Sequence, residues 1–202
     1  MKIFVAGASG AIGQPLIAEL VRRGNTVTGM THSERGARLL ADMGAIVANV
    51  DTFDAPAVEE AVRRSQAEIV IDELTALPKH PAELPAALPG DRKLRLEGGG
   101  NLYRAALSRG VRRYIQQASG FFLKSGSGLA DESEPLAVDA STGVAASAKM
   151  YTQLEARVLS SSQMEGVALR YGFFYGPNTW YFPGEGAADQ VLRQQFPIVG
   201  QG

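Results

Sequence analysis

The stretch "VAGASGAIG", residues 5–13, constrains the fold more than any other part of the chain. It follows an apolar run at 2–6 and places Gly7, Gly10 and Gly13 at three-residue spacing. Between a strand and a helix, one such glycine permits a tight turn, one lets the main chain approach a pyrophosphate, and one lets helix and strand pack closely. The first amides of the helix then face the phosphates. The stretch predicts a dinucleotide-binding turn.

The rest of the chain alternates short apolar runs with amphipathic stretches, which is typical of repeated strand–helix–strand units. Strands are predicted at 2–6, 26–30, 45–49, 68–72, 112–117 and 167–172, and helices at 11–23, 34–43, 55–65, 93–109 and 143–163. Right-handed crossovers between parallel strands make a doubly wound sheet the economical topology. We expect an α/β Rossmann-type domain over 1–172 and an incomplete small substrate lobe over 173–202.

Three segments interrupt this alternation. Residues 75–92 contain four prolines, residues 120–142 are rich in glycine, serine and acids, and the segment from 172 onward is aromatic. Each follows the carboxyl end of a predicted strand, which is where ligands bind in this architecture. Long loops of this kind are usually functional or disordered. We therefore expect three loops on the ligand side of the sheet.

Composition narrows the classes of function. The 202 residues include 20 basic and 21 acidic side chains, which gives no footprint for nucleic acid. No run approaches the ~18 consecutive apolar residues of a membrane span. The absence of cysteine excludes disulfides and a thiol nucleophile, and His32 and His80 have no metal-ligand spacing, so no metal site is expected. With a start that leads directly into a strand, the sequence favours a cytoplasmic protein.

Several further stretches, in order, resemble the extended and atypical short-chain dehydrogenase/reductase superfamily, which includes NAD-dependent epimerase/dehydratases and NmrA-like proteins. They are "VDTFD" at 50–54, "IDELTALP" at 71–78, "GGGNLYRAA" at 98–106, "RRYIQQASG" at 112–120 and "LRYGFFYGP" at 169–177. The resemblance spans residues 1 to about 178. It implies an NAD(P)-binding oxidoreductase or epimerase that acts on a small carbonyl, hydroxyl or sugar-like substrate. A dinucleotide-binding sensor without catalysis, like the NmrA-type regulators, is the alternative.

The glycine turn and the resemblance together predict the residues that bind the cofactor. These are Gly7, Ser9, Gly10, Ala11, Ile12, Gly13, Thr31, His32, Ser33, Arg35, Asp51, Thr52, Leu74, Thr75, Ala76, Tyr171 and Phe173. An NAD site usually has Asp or Glu at the end of the second strand, but this chain has Thr31, His32 and Ser33 there. With Arg35 nearby, this favours NADP over NAD. The alternative is that Arg35 and Arg38 only solvate the outside of a helix.

The resemblance also implies a Tyr-x-x-x-Lys pair, in which the lysine lowers the high pKa of a phenol beside the nicotinamide. Near residue 143 the chain reads "GVAASAKMYTQLEAR", and Ala145 stands four residues before Lys149. A second register, anchored on Glu155, puts Tyr151 in the place of the lysine and Ser147 in the place of the tyrosine. Both registers lack the pair, which puts ordinary epimerase or ketoreductase chemistry in doubt.

The remaining catalytic candidates are Ser119, at the end of the fifth strand, with Lys149 and Tyr151. Tyr151 could equally be a packing residue. Arg95 replaces an asparagine that the family places in the same proton network.

The three consecutive glycines and the aromatic segment each allow two interpretations. Gly98 to Gly100 either precede the helix or let it lie close to the sheet and cofactor. The seven aromatic residues of 171–182 either line an apolar pocket or form the core of the small lobe. The final "FPIVGQG" resembles the approach to a further strand, so an incomplete substrate lobe and a homodimer are expected.

Overall fold

The computed structural model describes residues 1–184 and 186–196. The strands in this part of the chain are β1 Lys2–Ala6, β2 Thr26–Thr31, β3 Ile46–Asn49, β4 Ile69–Asp72, β5 Arg113–Ser119 and β6 Glu165–Tyr171. The α-helices are α1 Gly13–Arg22, α2 Glu34–Asp42, α3 Ala55–Ser65, α4 Leu84–Lys93, α5 Gly99–Ser108, α6 Thr142–Leu159 and α7 Gly186–Leu192. Short 3-10 turns span Pro81–Glu83 and Gly120–Phe122, and a π-helical turn spans Leu94–Gly98.

The strands form one parallel sheet in the order β3-β2-β1-β4-β5-β6. This is the doubly wound Rossmann-type topology, with the order reversing between β1 and β4. Both the fold class and the six strands are as the sequence predicts, with strand ends within two residues. The final residues "FPIVGQG", except Phe196, lie outside the described part of the chain.

Alternation along β1 divides the core into two layers. Ile3 and Val5 pack with Ile17 of α1 and Leu40 of α2 on one face of the sheet. The intervening residues of the strand, with the side chains of α3 and α5, form the other layer, whose buried members include Phe4, Val58, Val70, Leu102 and Tyr114. Because both faces are covered by helices, the strands are apolar in continuous runs.

The proline-rich segment 75–92 is not a loop throughout, which corrects the prediction. It contains most of α4, which begins at Leu84 and has Pro85 in its first turn. A proline is tolerated there because its missing N–H would have no partner inside the helix. Pro89 lies inside α4 and removes one intrahelical hydrogen bond. The prolines therefore mark the start and a weak point of this helix.

The three consecutive glycines, Gly98 to Gly100, are helical and lie close to their neighbours. A Cβ on Gly98 would come within 2.7 Å of the Thr52 side chain. A Cβ on Gly99 would come within 2.9 Å of Oδ2 of Asp72, at the end of β4. The interpretation that small residues let this helix approach the sheet is confirmed.

Across residues 1–184 and 186–196, no helix has the length and apolar character needed to span a bilayer. The same residues contain no group of three or more His, Cys, Asp or Glu side chains arranged to hold a metal ion.

Candidate functional site

The glycine turn after β1 is shaped by close backbone contacts. Gly7 has φ +72°, and a Cβ there would collide with the carbonyl oxygen of Glu73 after β4. A Cβ on Gly13 would collide with the Gly7 carbonyl and lie 2.5 Å from that of Ala8. Gly10 is less confined, since a Cβ there would come within 3.1 Å of the Gly7 carbonyl and meet nothing else within 4 Å. Two glycines thus build the turn and one leaves a surface for a ligand.

The amino end of α1 has no protein cap. Its N-cap residue, Ile12, makes no side-chain hydrogen bond, and the first turn has no acidic residue. The first amides of a helix have no intrahelical partner and carry a partial positive charge. Ala11 and Ile12 stand beside these amides, next to exposed Gly10. The turn is therefore suited to an anionic group such as a diphosphate.

Three hydroxyl groups meet where β2 ends. Ser9 Oγ lies 3.2 Å from Oγ1 of buried Thr31. Oγ1 of Thr31 also accepts a hydrogen bond from the amide of Ser33 at 3.4 Å. Ser33 caps α2 by accepting from the amide of Gly36 at 3.1 Å. Thr31 and Ser33 therefore hold the turn in place, and much of their hydrogen-bonding capacity is used inside the protein.

The exposed groups at this end of β2 are mainly basic. His32, Arg35 and Arg38 are all exposed. Neither arginine forms a salt bridge within the described part of the chain. The carboxylate of Glu34, which precedes Arg35 in the chain, accepts a hydrogen bond from Nδ2 of Asn49 at 2.9 Å. This edge can therefore hold a phosphate better than an uncharged ribose hydroxyl.

The predicted adenine side lies after β3. Asp51 is exposed and accepts a hydrogen bond from the amide of Phe53 at 2.9 Å. Thr52 is buried, its carbonyl accepts from Nδ2 of Asn101 at 2.9 Å, and its hydroxyl oxygen has no partner in the described part of the chain. The structure thus joins this turn to α5 and leaves one buried polar atom unsatisfied, which is uncommon in native proteins.

The residues that follow β4 lie at the same carboxyl edge of the sheet as the glycine turn. Leu74 is buried, whereas Thr75 and Ala76 are exposed. The amide of Ala76 donates to Oδ1 of buried Asp91 at 2.7 Å. Asp91 in turn accepts from Arg95 at 2.7 Å, in an ion pair with both side chains almost fully buried. The Ala76 amide is therefore committed to an internal network.

A buried carboxyl that sequence reasoning missed lies at this edge. The Tyr171 hydroxyl, at the end of β6, donates to Oε1 of Glu73 at 2.8 Å. Glu73 is 5% exposed, and its Oε2 has no partner in the described part of the chain. Burial raises the pKa of Glu73 to about 7, against the lowering effect of the Tyr171 hydrogen bond. Burial and the neighbouring Glu73 raise the pKa of Tyr171 as well. The sequence signal that could have identified this carboxyl is the acidic pair Asp72–Glu73 at the end of an apolar strand.

The three predicted catalytic residues are not brought together as a triad. Ser119 is buried at the end of β5, and its Oγ accepts from the amide of Phe121 at 3.3 Å. Ser147 and Tyr151 lie on the buried face of α6, but Lys149 is exposed. Two residues along a helix turn by about 200°, so Lys149 and Tyr151 cannot share a face. The burial pattern agrees with the register that puts Tyr151 in the place of the lysine.

Tyr151 has a packing environment. Its ring stacks on Phe122 with centroids 5.4 Å apart, and the guanidinium carbon of Arg95 lies 5.4 Å from its centroid. Arg95 also donates to Oε1 of Gln117 at 3.0 Å. Burial raises the pKa of Tyr151, partly offset by Arg95. The contacts of the Tyr151 ring with Phe122 and Arg95 are those of a packing residue.

The aromatic segment after β6 is divided between exposed and packed residues. Phe173 is 68% exposed and lies with its ring centroid 4.3 Å from that of Phe121. Tyr181 also packs on Phe173 in an edge-to-face arrangement, with the ring centroids 5.0 Å apart. Trp180 anchors the segment by donating to the Pro78 carbonyl at 3.0 Å. A row of three rings therefore follows the carboxyl ends of β5 and β6, with Phe121 and Phe173 exposed and Tyr181 half-buried.

Comparison with known proteins agrees with this geometry. A family model described as the NAD dependent epimerase/dehydratase family matches residues 3–195. The chain is 37% identical over 200 residues to a 3-diazoavenalumate denitrifying reductase from a Streptomyces species. That match covers 98% of this chain and 64% of the relative, so the chain spans just under two thirds of the length of this curated relative.

Solved structures show the same fold. The UDP-glucose 4-epimerase of Thermus thermophilus, in complex with NAD, matches with a TM-score of 0.67 at 24% identity, over 98% of this chain and 64% of that one. The UDP-Glc/GlcNAc 4-epimerase of Campylobacter jejuni matches with a TM-score of 0.71 at 16% identity, over 98% and 58%. By its sheet, its glycine turn and the family match over nearly its whole length, the chain belongs to the NAD-dependent epimerase/dehydratase family.

Proposed function

We propose that the chain binds NADP(H) along the carboxyl edge of its sheet and serves as the nucleotide-binding part of an oxidoreductase. The observation that carries this proposal is the glycine turn, where Gly7 and Gly13 tolerate no side chain and Gly10 is exposed just before a helix without a side-chain cap. The family match supports the same ligand class. When bound, the dinucleotide supplies or accepts a hydride at its nicotinamide ring.

The residues present fit the three parts of such a cofactor. Amides of Ala11, Ile12 and Gly13 would hold the diphosphate, with Ser9 at the side of the turn. His32, Ser33 and Arg35 would hold a 2'-phosphate, and Thr31 would fix the turn that carries them. Asp51 and Thr52 would lie at the adenine. Leu74, Thr75 and Ala76 would line the cofactor at the end of β4, and Tyr171 and Phe173 would flank its nicotinamide half.

A reductase agrees better with the site than a sugar epimerase does. The curated relative is named a reductase at 37% identity, whereas the two epimerase structures described above match at 24% or less. A phosphate-binding edge after β2 favours NADP(H). We therefore propose reduction of a small carbonyl, or of a comparable electrophile, in a pocket bordered by Ser119 and the exposed rings of Phe121 and Phe173.

A second function has its own observation. Lys149 is exposed and Tyr151 is packed against Arg95 and Phe122, so the family's proton-transfer pair is not assembled on α6. A dinucleotide-binding sensor, which responds to the redox state of the cofactor without turnover, would need no such pair. Tight and selective NADPH binding without NADPH oxidation across a broad set of electrophiles would favour the sensor.

Fluorescence titration with NADPH and NADH tests the proposal. We expect Gly10→Ala to weaken NADPH binding by about tenfold or more, because the added methyl group occupies the space a phosphate needs. Gly90→Ala is the matched control, since Gly90 is exposed on α4 and a Cβ there meets nothing within 4 Å. Equal binding by both variants, or no binding of either nucleotide by the native chain, would contradict the proposal. NADPH oxidation with carbonyl compounds then separates the reductase from the sensor.

The proposal also covers the division into domains, the oligomeric state and the cellular location. Residues 1–172 would form the nucleotide-binding domain and 173–202 part of a substrate lobe, because the last strand of the sheet ends at Tyr171. A homodimer through the sheet edge at β6 would cover exposed backbone groups, and light scattering would measure it. Cytoplasmic location is proposed from the absence of cysteine and would be checked by fractionation.

A further inference from the structure

The pair of Glu73 and Tyr171 spans three strands of the sheet. Glu73 follows β4, and Tyr171 ends β6 in register with Ser119 of β5. Their side chains therefore meet across the carboxyl end of β5, with Tyr171 Oη 2.8 Å from Oε1 of Glu73. Ser119, the retained family residue, lies at the strand end below them. The pair occupies the edge of the sheet at which ligands bind in this architecture.

The strand order indicates which half of a dinucleotide would reach this pair. Under the proposed function, the diphosphate would lie at the turn between β1 and α1, and the basic residues for the 2'-phosphate lie on the β2 side. The other half of the cofactor then extends over β4, β5 and β6. Glu73 borders the turn itself, because its amide donates to the Ala6 carbonyl at 3.1 Å and its carbonyl closes on Gly7.

The environment of Glu73 is unusual for a structural carboxylate. Oε1 has one partner, the Tyr171 hydroxyl, and Oε2 is buried with none in the described part of the chain. A buried carboxylate normally accepts several hydrogen bonds or faces a cation. Here the pKa is raised to about 7, chiefly by burial and also by Asp72, while the Tyr171 hydrogen bond and Arg95 lower it. The group can therefore both release and take up a proton near neutral pH.

We propose that Glu73 and Tyr171 are the proton-transfer pair of this site, in place of the Tyr-x-x-x-Lys pair that α6 lacks. Tyr171 is the catalytic residue, half-buried with its hydroxyl at the ligand edge, and Glu73 acts through it as a proton reservoir. The inference rests on the proposed function, since it needs a nicotinamide over β5.

The proton balance needs only the two side chains and a proton from solvent. As the substrate accepts a hydride, the O–H bond of Tyr171 breaks and its proton passes to the substrate atom that gains the electron pair. The proton of the Glu73 carboxylic acid then passes to the Tyr171 oxygen, which leaves a carboxylate and a neutral tyrosine. Solvent returns a proton to Glu73. The O–O distance of 2.8 Å allows the hydrogen bond to run in either direction.

The titration of Glu73, followed by carbon-13 NMR of labelled glutamate carboxyls, tests the pair without turnover. Glu73→Gln identifies the resonance by removing it. In the cofactor-free protein we expect a midpoint near pH 7. Oxidised nicotinamide carries a positive charge that the reduced ring lacks, so the midpoint should be about one unit lower with NADP⁺ than with NADPH. Equal midpoints in the two complexes would overturn the inference.

Two tyrosine variants give matched controls. Tyr171→Phe removes a hydrogen bond that favours the carboxylate, so it should raise the Glu73 midpoint in the cofactor-free protein. Tyr175→Phe should leave that midpoint unchanged, because Tyr175 is 88% exposed in the same segment. A Tyr171→Phe midpoint equal to that of the native protein would overturn the coupling.

Binding separates failure of the inference from failure of the proposed function. If neither nucleotide changes the fluorescence of the native chain, the proposed function fails and the inference falls with it. If both bind and the Glu73 midpoint is the same in each, only the inference fails. With 9,10-phenanthrenequinone as the carbonyl probe, Tyr171→Phe should lower kcat about 100-fold. It should change NADPH affinity far less, because the aromatic ring that would flank the nicotinamide is kept. A kcat equal to that of Tyr175→Phe would contradict the catalytic role.

Discussion

Arg35 is the residue on which the choice between the two nicotinamide cofactors depends. It is exposed after β2, where Thr31, His32 and Ser33 carry no carboxylate and the carboxylate of the adjacent Glu34 accepts a hydrogen bond from Asn49. We expect Arg35→Ala to weaken NADPH binding by about tenfold, since a charge-assisted hydrogen bond contributes more than about 1.4 kcal/mol. NADH has no 2'-phosphate, and its affinity should change little.

Arg112→Ala is the matched control for Arg35. Arg112 is exposed immediately before β5, at the opposite edge of the sheet from the glycine turn. Titration of each variant with both nucleotides gives four dissociation constants. Equal losses of NADPH and NADH affinity in Arg35→Ala would remove the case for a 2'-phosphate site.

Tyr151 is best tested through stability. Its ring packs on Phe122 and under Arg95, and the structure shows no hydrogen bond from its hydroxyl to another described residue. Tyr151→Ala should therefore lower the free energy of unfolding by about 3–5 kcal/mol, as other large-to-small core changes do. Tyr151→Phe should stay within about 1 kcal/mol of the native protein.

Urea unfolding measures these changes, with Lys149→Ala as the exposed control on the same helix. Surface substitutions usually change stability by less than about 0.5 kcal/mol. A large loss in Tyr151→Phe would show that the hydroxyl has a partner the packing does not explain.

At the scale of elements, Gly99 joins α5 to the sheet. A Cβ on Gly99 would lie 2.9 Å from Oδ2 of Asp72 and 3.1 Å from Nη2 of Arg157. Gly99→Ala should therefore lower the free energy of unfolding by about 1–2 kcal/mol, because crowding outweighs the gain in helix propensity. Gly90→Ala, on the preceding helix α4 where a Cβ meets nothing, should instead raise it by up to about 1 kcal/mol. Thermal unfolding of the two variants measures the difference, and equal shifts would contradict close packing at Gly99.

Elements built on a periodic apolar pattern were predictable from the sequence. The β1 run and the glycine turn predicted the sheet and its ligand edge, since both depend on local spacing. Helix α4 was not predictable, because its two prolines are loop signals unless one knows that Pro85 stands in a first turn.

In the candidate site too, the residues set by local sequence patterns were predictable and the contacts between distant residues were not. The glycine turn and Ser119 lie where the pattern predicts, but the contact between Glu73 and Tyr171 joins residues 98 positions apart. Only the strand order brings them together. The exposure of Lys149 likewise depends on how α6 rotates against β5 and β6, which its mixed composition leaves undetermined.

At the scale of the whole molecule, Glu73 makes the free energy of unfolding depend on pH. An ordinary glutamate carboxyl, as in the unfolded chain, has a pKa of 4.5, and burial raises the pKa of Glu73 in the folded protein to about 7. The folded state therefore binds this proton more tightly. The stabilising contribution is fully present below about pH 4.5 and is lost as the pH rises through about 7.

Glu73→Gln should remove this loss, because an amide stays neutral and still accepts the Tyr171 hydrogen bond. Its stability should match the native protein near about pH 4.5 and exceed it by on the order of 3 kcal/mol near about pH 8, since one pKa unit is about 1.4 kcal/mol. Urea unfolding across this range measures the difference. Glu97→Gln, exposed in the π-helical turn, should follow the native curve. If Glu73→Gln ran parallel to the native protein at every pH, Glu73 would titrate as an ordinary carboxyl, and a proton reservoir at neutral pH would be excluded.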